Sequence, residues 1–161
     1  MHTHPDAAIT LLEKALAADR KSVRATILLG DAQLAQGDTE LALLTWRRVE
    51  HQSVPHVALV AQRLMDGYRA VGRAQEGVNL LKFYLAEASS IDLLEVVFKA
   101  VLELEGVDAA NQMVSDELRR TPTLLGLDKL LEARLMEAPP EMRSEPVSYT
   151  HLRAHETRGN L

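Results

Sequence analysis

The chain has 161 residues, of which 47% are apolar, 4% aromatic and 25% charged, with a formal net charge of -5 and no cysteine. This length and apolar content exclude a disordered chain and suffice for one domain with a sizeable core. The acidic balance disfavours a broad nucleic-acid surface, and the missing thiols exclude disulfides, thiolate catalysis and every cysteine-bound zinc or iron site.

In chain order, Met1-His2-Thr3-His4-Pro5 has neither the basic region nor the apolar stretch of a signal peptide. No apolar run reaches the ~18 residues that suggest a membrane span. Leu and Ala carry the apolar content, which favours helices because both lose little freedom there. The spacing predicts helices over Asp6–Ala18, Val23–Gln36, Thr39–Glu50, His56–Val71, Ala74–Ala88, Ile91–Leu104, Asp108–Arg120 and Thr123–Met136. Asp38 is placed to cap the helix that follows it. Ser89 with Asp92 reads as a capping box, and Thr121-Pro122 as a cap before a first-turn proline.

A repeat organises these helices. Gly37, Gly72 and Gly106 occupy equivalent turns, 35 and 34 residues apart. That is the period of the two-helix tetratricopeptide unit. Leu29, Leu64 and Phe98 hold matching places before the glycines. After them come a small residue (Ala42, Gly77, Ala110) and, four positions on, a larger one (Trp46, Leu81, Val114). A small residue at a helix crossing lets backbones approach, and the bulky one fills the groove a turn later. The register extends back to Ala8, Leu12 and Ala15, with a turn at Thr3, and forward to Pro139-Pro140. The expected fold is therefore all-α, a tetratricopeptide-repeat α-solenoid of antiparallel helix pairs over residues 1–145. Its first and last repeats are expected to be partial.

Residues 146–161, from Pro146 to Leu161, lack the small–large–small pattern that the period demands there. The string from Pro146 to Thr157 resembles the conceptual translation of a transposon-type sequencing adapter. The segment is therefore expected to be a non-native, disordered tail; the alternative is a natural polar C-terminus. His151 and His155 stand four apart but lack a third ligand.

Nothing reads as a catalytic constellation: there is no His-Glu-x-x-His, Gly-x-Ser-x-Gly or Gly-x-Gly-x-x-Gly. Lys21-Ser22 lacks the glycines of a phosphate loop. His2 and His4 read as frayed and solvated, and His51 and His56, flanking Pro55 in an inter-repeat loop, as structural or solvent-facing. Trp46 is the lone tryptophan, either a partner anchor or, as its repeat position favours, a core residue. The first helix of each pair lines the concave face of such an array, and there the register places Arg24, Asp31, Gln62, Asp66 and Arg69. These mixed charges fit either recognition of a partner's peptide or helix, or an ordinary solvated face.

The segments Leu16–Arg20, Val23–Asp31 and Asp116–Ala133, within a stretch from Ala15 to Glu141, resemble the lipopolysaccharide assembly protein B family of bacterial tetratricopeptide proteins. The resemblance implies a non-enzymatic protein–protein adaptor. Members have a membrane-anchoring N-terminal helix, a cytoplasmic repeat array and a C-terminal rubredoxin-like metal ribbon with two Cys-x-x-Cys pairs. They restrain lipopolysaccharide synthesis by helping a membrane protease degrade the deacetylase that commits lipid A precursors. The protease and the deacetylase are the implied partners, and the cytoplasmic face of the inner membrane the implied location. Without cysteine this chain cannot carry the ribbon's ligands, so no cofactor is expected in it. The alternative function is a generic tetratricopeptide scaffold in envelope assembly or secretion. Truncation at both ends is expected to expose leucine-rich faces on the end helices and to favour self-association.

Overall fold

The computed structural model describes residues 5–137. The Thr3 turn, His2, His4, the Pro139-Pro140 turn and the tail expected at 146–161 lie outside the described residues. Among the described residues nine α-helices follow in order: α1 (Pro5–Ala18), α2 (Val23–Ala35), α3 (Thr39–Arg47), α4 (Val49–Gln52), α5 (Ala58–Ala70), α6 (Ala74–Glu87), α7 (Ile91–Glu105), α8 (Val107–Arg120) and α9 (Leu124–Glu137). A 3₁₀ turn, Val54–Val57, joins α4 to α5. The described residues contain no strand.

Each helix packs on its chain neighbours: α1 on α2, α2 on α3, α3 on α5, and so on to α8 and α9. The first helices of successive pairs also touch, α5 against α7 and α7 against α9, while the second helices α3, α6 and α8 meet far less closely. Helices that crowd together on one side and spread on the other curve the stack, so the first helices line its inner face. This is the α-solenoid of antiparallel pairs that the repeat implies.

The core follows the register. Leu29, Leu64 and Phe98 are buried, as are Ala42, Gly77 and Ala110 and, a turn later, Trp46, Leu81 and Val114. Trp46 is a core residue, 1% exposed, with its indole N–H donating to the Ile27 carbonyl at 3.3 Å. Fully burying such a side chain is worth roughly 1.5–3 kcal/mol, so these rows supply much of the inter-pair cohesion.

Gly37, Gly72 and Gly106 share one backbone feature: among the described residues they alone have positive φ, at 91°, 73° and 91°. Only glycine adopts this region at little cost. The residue after each of the first two donates back five positions, Asp38 to the Gln33 carbonyl at 3.1 Å and Arg73 to that of Tyr68 at 2.8 Å. These are the hydrogen bonds of a Schellman helix end. At the third turn Gly106 itself donates to the Val101 carbonyl at 3.1 Å, and α8 starts at once. This turn is one residue shorter, which is why Ala110 follows its glycine by four positions and Ala42 and Gly77 follow theirs by five.

Several boundaries differ from expectation. The helix expected over Thr39–Glu50 tightens at Arg48, whose N–H bonds to the Thr45 carbonyl three residues back at 3.1 Å, and resumes as the single turn α4. His56 lies in the 3₁₀ turn rather than opening α5, because Pro55 restricts Val54 and donates no N–H. His51 therefore sits on a helical turn and not in a loop. The cap of α7 is Ser90, whose hydroxyl accepts from the Leu93 N–H at 3.1 Å; Ser89 instead donates to Glu117. The cap of α9 is Thr123, accepting from the Gly126 N–H at 3.0 Å, with Thr121 and Pro122 left in the connection. Asp38 caps α3 as expected, and Ser22 caps α2. In α1 Leu16 is buried, while Ala15, the last position of the extended register, is exposed. The last helix leaves Leu124, Leu127, Leu131 and Leu135 exposed, and α1 leaves Leu11 exposed.

Candidate partner-binding face

The outward charges of α2, α5 and α7 lie within reach of one another, α5 packing on α7 and meeting α2 through its side chains. Arg63 crosses from α5 to α2 and grips Asp31 with two bonds, Nε to Oδ1 at 2.7 Å and Nη2 to Oδ2 at 3.1 Å. Asp66 accepts from Gln62 Nε2 at 2.9 Å and from Arg69 Nη1 at 3.1 Å. Arg69 then reaches α7, where its Nη2 meets Glu103 Oε2 at 2.5 Å. Four of the five residues singled out in the sequence, Asp31, Gln62, Asp66 and Arg69, thus belong to one polar strip across three helices. Arg24 stands apart: it is exposed on α2, seven residues before Asp31, and has no polar side-chain partner among the described residues.

Arg63 and Glu103 are the members that sequence reasoning missed. A signal existed, because the partners sit about one repeat apart. Asp31 and Arg63 are separated by 32 residues, Arg69 and Glu103 by 34, and Glu40 and Arg73, paired at 2.7 Å, by 33. Opposite charges at the repeat spacing mark ties between adjacent pairs.

Beside this strip, between α2 and α5, lies a cleft of about 440 Å³. Asp31, Arg63 and Asp66 rim it, and Leu34, Ala70 and the Trp46 edge give it apolar walls. Gly67 also lines it, and its bare Cα lets α5 close onto Leu43 of α3, where a Cβ would come within 2.8 Å. The ion pairs around it are substantially exposed; the Arg63 and Asp31 side chains retain 42% and 35% of their accessibility. Exposed pairs of this kind are worth only about 0–1 kcal/mol, so a partner's own charges can exchange with them at little cost. An apolar cleft with exchangeable charges at its rim suits recognition of a peptide or helix.

The opposite, second-helix side holds its charges more firmly. The Tyr84 hydroxyl donates to Glu50, and burial, with that carboxylate, pushes the phenol well above its ordinary value. Lys82 donates to Glu105 at 2.5 Å, which holds the Glu105 carboxyl below its usual range. Among the described residues no cluster of three or more His, Asp or Glu side chains could hold a metal ion. No helix among them is long and apolar enough to cross a membrane.

A stack of two-helix units with glycine-closed turns, a small-to-large register and charge ties at the repeat distance is a tetratricopeptide-repeat α-solenoid, and residues 3–62 match the tetratricopeptide repeat family. The resemblance seen in the sequence also stands. The chain is 31% identical over 134 residues to lipopolysaccharide assembly protein B from each of three Escherichia coli strains, an alignment covering 83% of this chain. The chain spans 34% of the length of those relatives.

Proposed function

We propose that this chain is a protein-interaction adaptor of lipopolysaccharide assembly, docking its partner on the face formed by α2, α5 and α7. The observation that carries the reading is the cleft beside the Asp31–Arg63 pair, an apolar slot with charges that can change partners, on a chain similar to lipopolysaccharide assembly protein B. In the finer form of the proposal, the chain acts at the cytoplasmic side of the inner membrane, presenting the lipid A deacetylase to a membrane protease. It works by contact and needs no cofactor of its own.

Isothermal titration of the chain with the purified deacetylase, and separately with the protease, tests this. Binding to one of them that falls at least ~10-fold in the triple variant Arg24→Ala, Asp31→Ala, Arg69→Ala supports the face. Undiminished binding by that variant removes the site, and no binding to either protein removes the partners.

A second reading is a tetratricopeptide scaffold for another envelope-assembly or secretion process. It is favoured by the family match over residues 3–62, which specifies the repeat and no particular pathway. Binding of neither protein, with the face intact, favours this reading.

A further inference from the structure

Gln33 and Tyr68 hold the same seat in successive repeats. Each precedes its positive-φ glycine by four positions, and each carbonyl accepts the N–H five residues on. Tyr68 fills its seat: the side chain is buried against the bare Cα of Gly77, where a Cβ would lie 2.9 Å away, and Arg73 stacks over the ring at 5.4 Å from its centroid. Gln33 is shorter. In its repeat a groove of about 550 Å³ stays open on the second-helix side, between α1 and α3 with α2 as floor.

We propose that this groove binds an acidic, leucine-bearing segment of a partner protein. Leu16, Leu29 and Leu41 form its apolar walls, and Leu44, next to it on α3, is 62% exposed. At its floor Gln33 is only 5% exposed, and its Oε1 is already taken by the Thr45 hydroxyl at 2.6 Å. The Nε2 hydrogens of Gln33 have no acceptor among the described residues, so a nearly buried amide offers them into the groove. A peptide carbonyl or carboxylate entering the groove can accept from them. Arg20 and Arg48 stand at the rim, and neither side chain is paired among the described residues; Glu13 is the one carboxylate in the lining. The groove thus carries a local excess of positive charge on a chain whose net charge is -5. Aliphatic walls, an amide donor at depth and two uncommitted guanidiniums together call for leucine flanked by carboxylates on an extended backbone. The volume lies within the range of ordinary ligand pockets, about 300–1,000 Å³. This site faces away from the α2–α5–α7 surface and does not depend on it.

The test uses the full chain and a synthetic peptide labelled at its N-terminus, carboxyfluorescein-Gly-Glu-Asp-Leu-Leu-Glu-Ser-Leu-amide, read by fluorescence anisotropy. The expected result is saturable binding with Kd on the order of 1–100 µM. The double variant Arg20→Glu, Arg48→Glu should weaken it at least ~10-fold. Gln33→Tyr, which copies the plug of the next repeat, should abolish it, while the charge reversal Arg119→Glu on the exposed surface of α8 should leave it unchanged. No saturation by ~1 mM peptide overturns the proposal. So does equal affinity for a peptide with serine in place of every leucine, or unchanged binding in the arginine variant. Capture of phosphatidylglycerol vesicles without peptide binding assigns the patch to lipid and overturns it as well. Circular dichroism monitors folding, and the surface arginine variant carries the test alone if Gln33→Tyr does not fold.

Discussion

The indole of Trp46 lies against the bare Cα of Gly30: a Cβ at residue 30 would come within 2.2 Å of Nε1 and 2.4 Å of Cδ1. One residue thus provides the bulk and the other the space for it, across the α2–α3 contact.

Glycine inside a helix is ordinarily improved by alanine, by about 1 kcal/mol. Here the sign should reverse, because the ring is buried and tethered to the Ile27 carbonyl. Gly30→Ala is expected to destabilise by about 1–3 kcal/mol, and Trp46→Ala by about 3–5 kcal/mol. In the Trp46→Ala background, Gly30→Ala should become stabilising. Urea denaturation of the four proteins reads this cycle, and additive effects would contradict the contact.

Gly106 combines φ 91° with ψ 179°, a backbone region that is nearly exclusive to glycine. Nothing crowds the position, so any penalty is conformational. Gly106→Ala should cost about 1–3 kcal/mol, and Gly106→Asn should not rescue it, since asparagine tolerates the left-handed helical region but not this one. Equal melting temperatures for wild type and both variants would refute this.

Glu117 is only 2% exposed and occupies a seat that Val49 and Tyr84 fill elsewhere. It accepts from Ser89 and from Arg120, whose other nitrogen donates to the Ala86 carbonyl at 3.2 Å. The carboxylate thus pins the α6–α7 connection to α8. Glu117→Ala should cost about 1–3 kcal/mol and speed amide exchange at residues 88–91 more than at α2. Uniform exchange across the chain would show that the pin is not there.

Glu105 links stability to acidity. The Lys82 hydrogen bond lowers its pKa first and foremost, with Gln75 adding to that effect and burial opposing it. A carboxylate lowered on folding stabilises the fold above its unfolded pKa and loses that contribution as pH falls through the folded value. Wild type should therefore lose more stability between pH 7 and pH 3 than Glu105→Gln, by urea melts at each pH. Parallel losses would exclude the link.

The solenoid was legible because its determinants are local and periodic. Leu29, Leu64 and Phe98 recur at the repeat spacing, and their turns need glycine for backbone reasons alone. The caps slipped by one or two residues because Ser89 and Ser90, or Thr121 and Thr123, are chemically alike, and long-range contacts choose between them. Glu117 claims Ser89, which leaves Ser90 to cap. On the candidate face, helical phase placed Asp31, Gln62, Asp66 and Arg69. It did not place Arg63 or Glu103, whose parts depend on how far neighbouring helices slide past each other. The open seat at Gln33 was invisible for a similar reason, since a vacancy shows only when the walls are in place.

The shortened turn at Gly106 leaves the helical phase of α8 unchanged, because Ala110, Val114 and Glu117 each come one position earlier and keep the buried seats of Ala42, Trp46 and Val49. What shrinks is the connector: α7 ends at Glu105 and α8 starts at Val107, so Gly106 alone joins them, whereas three residues separate α2 from α3 and α5 from α6. A one-link joint has no slack, so this hairpin is the one whose two arms can least tolerate an inserted residue.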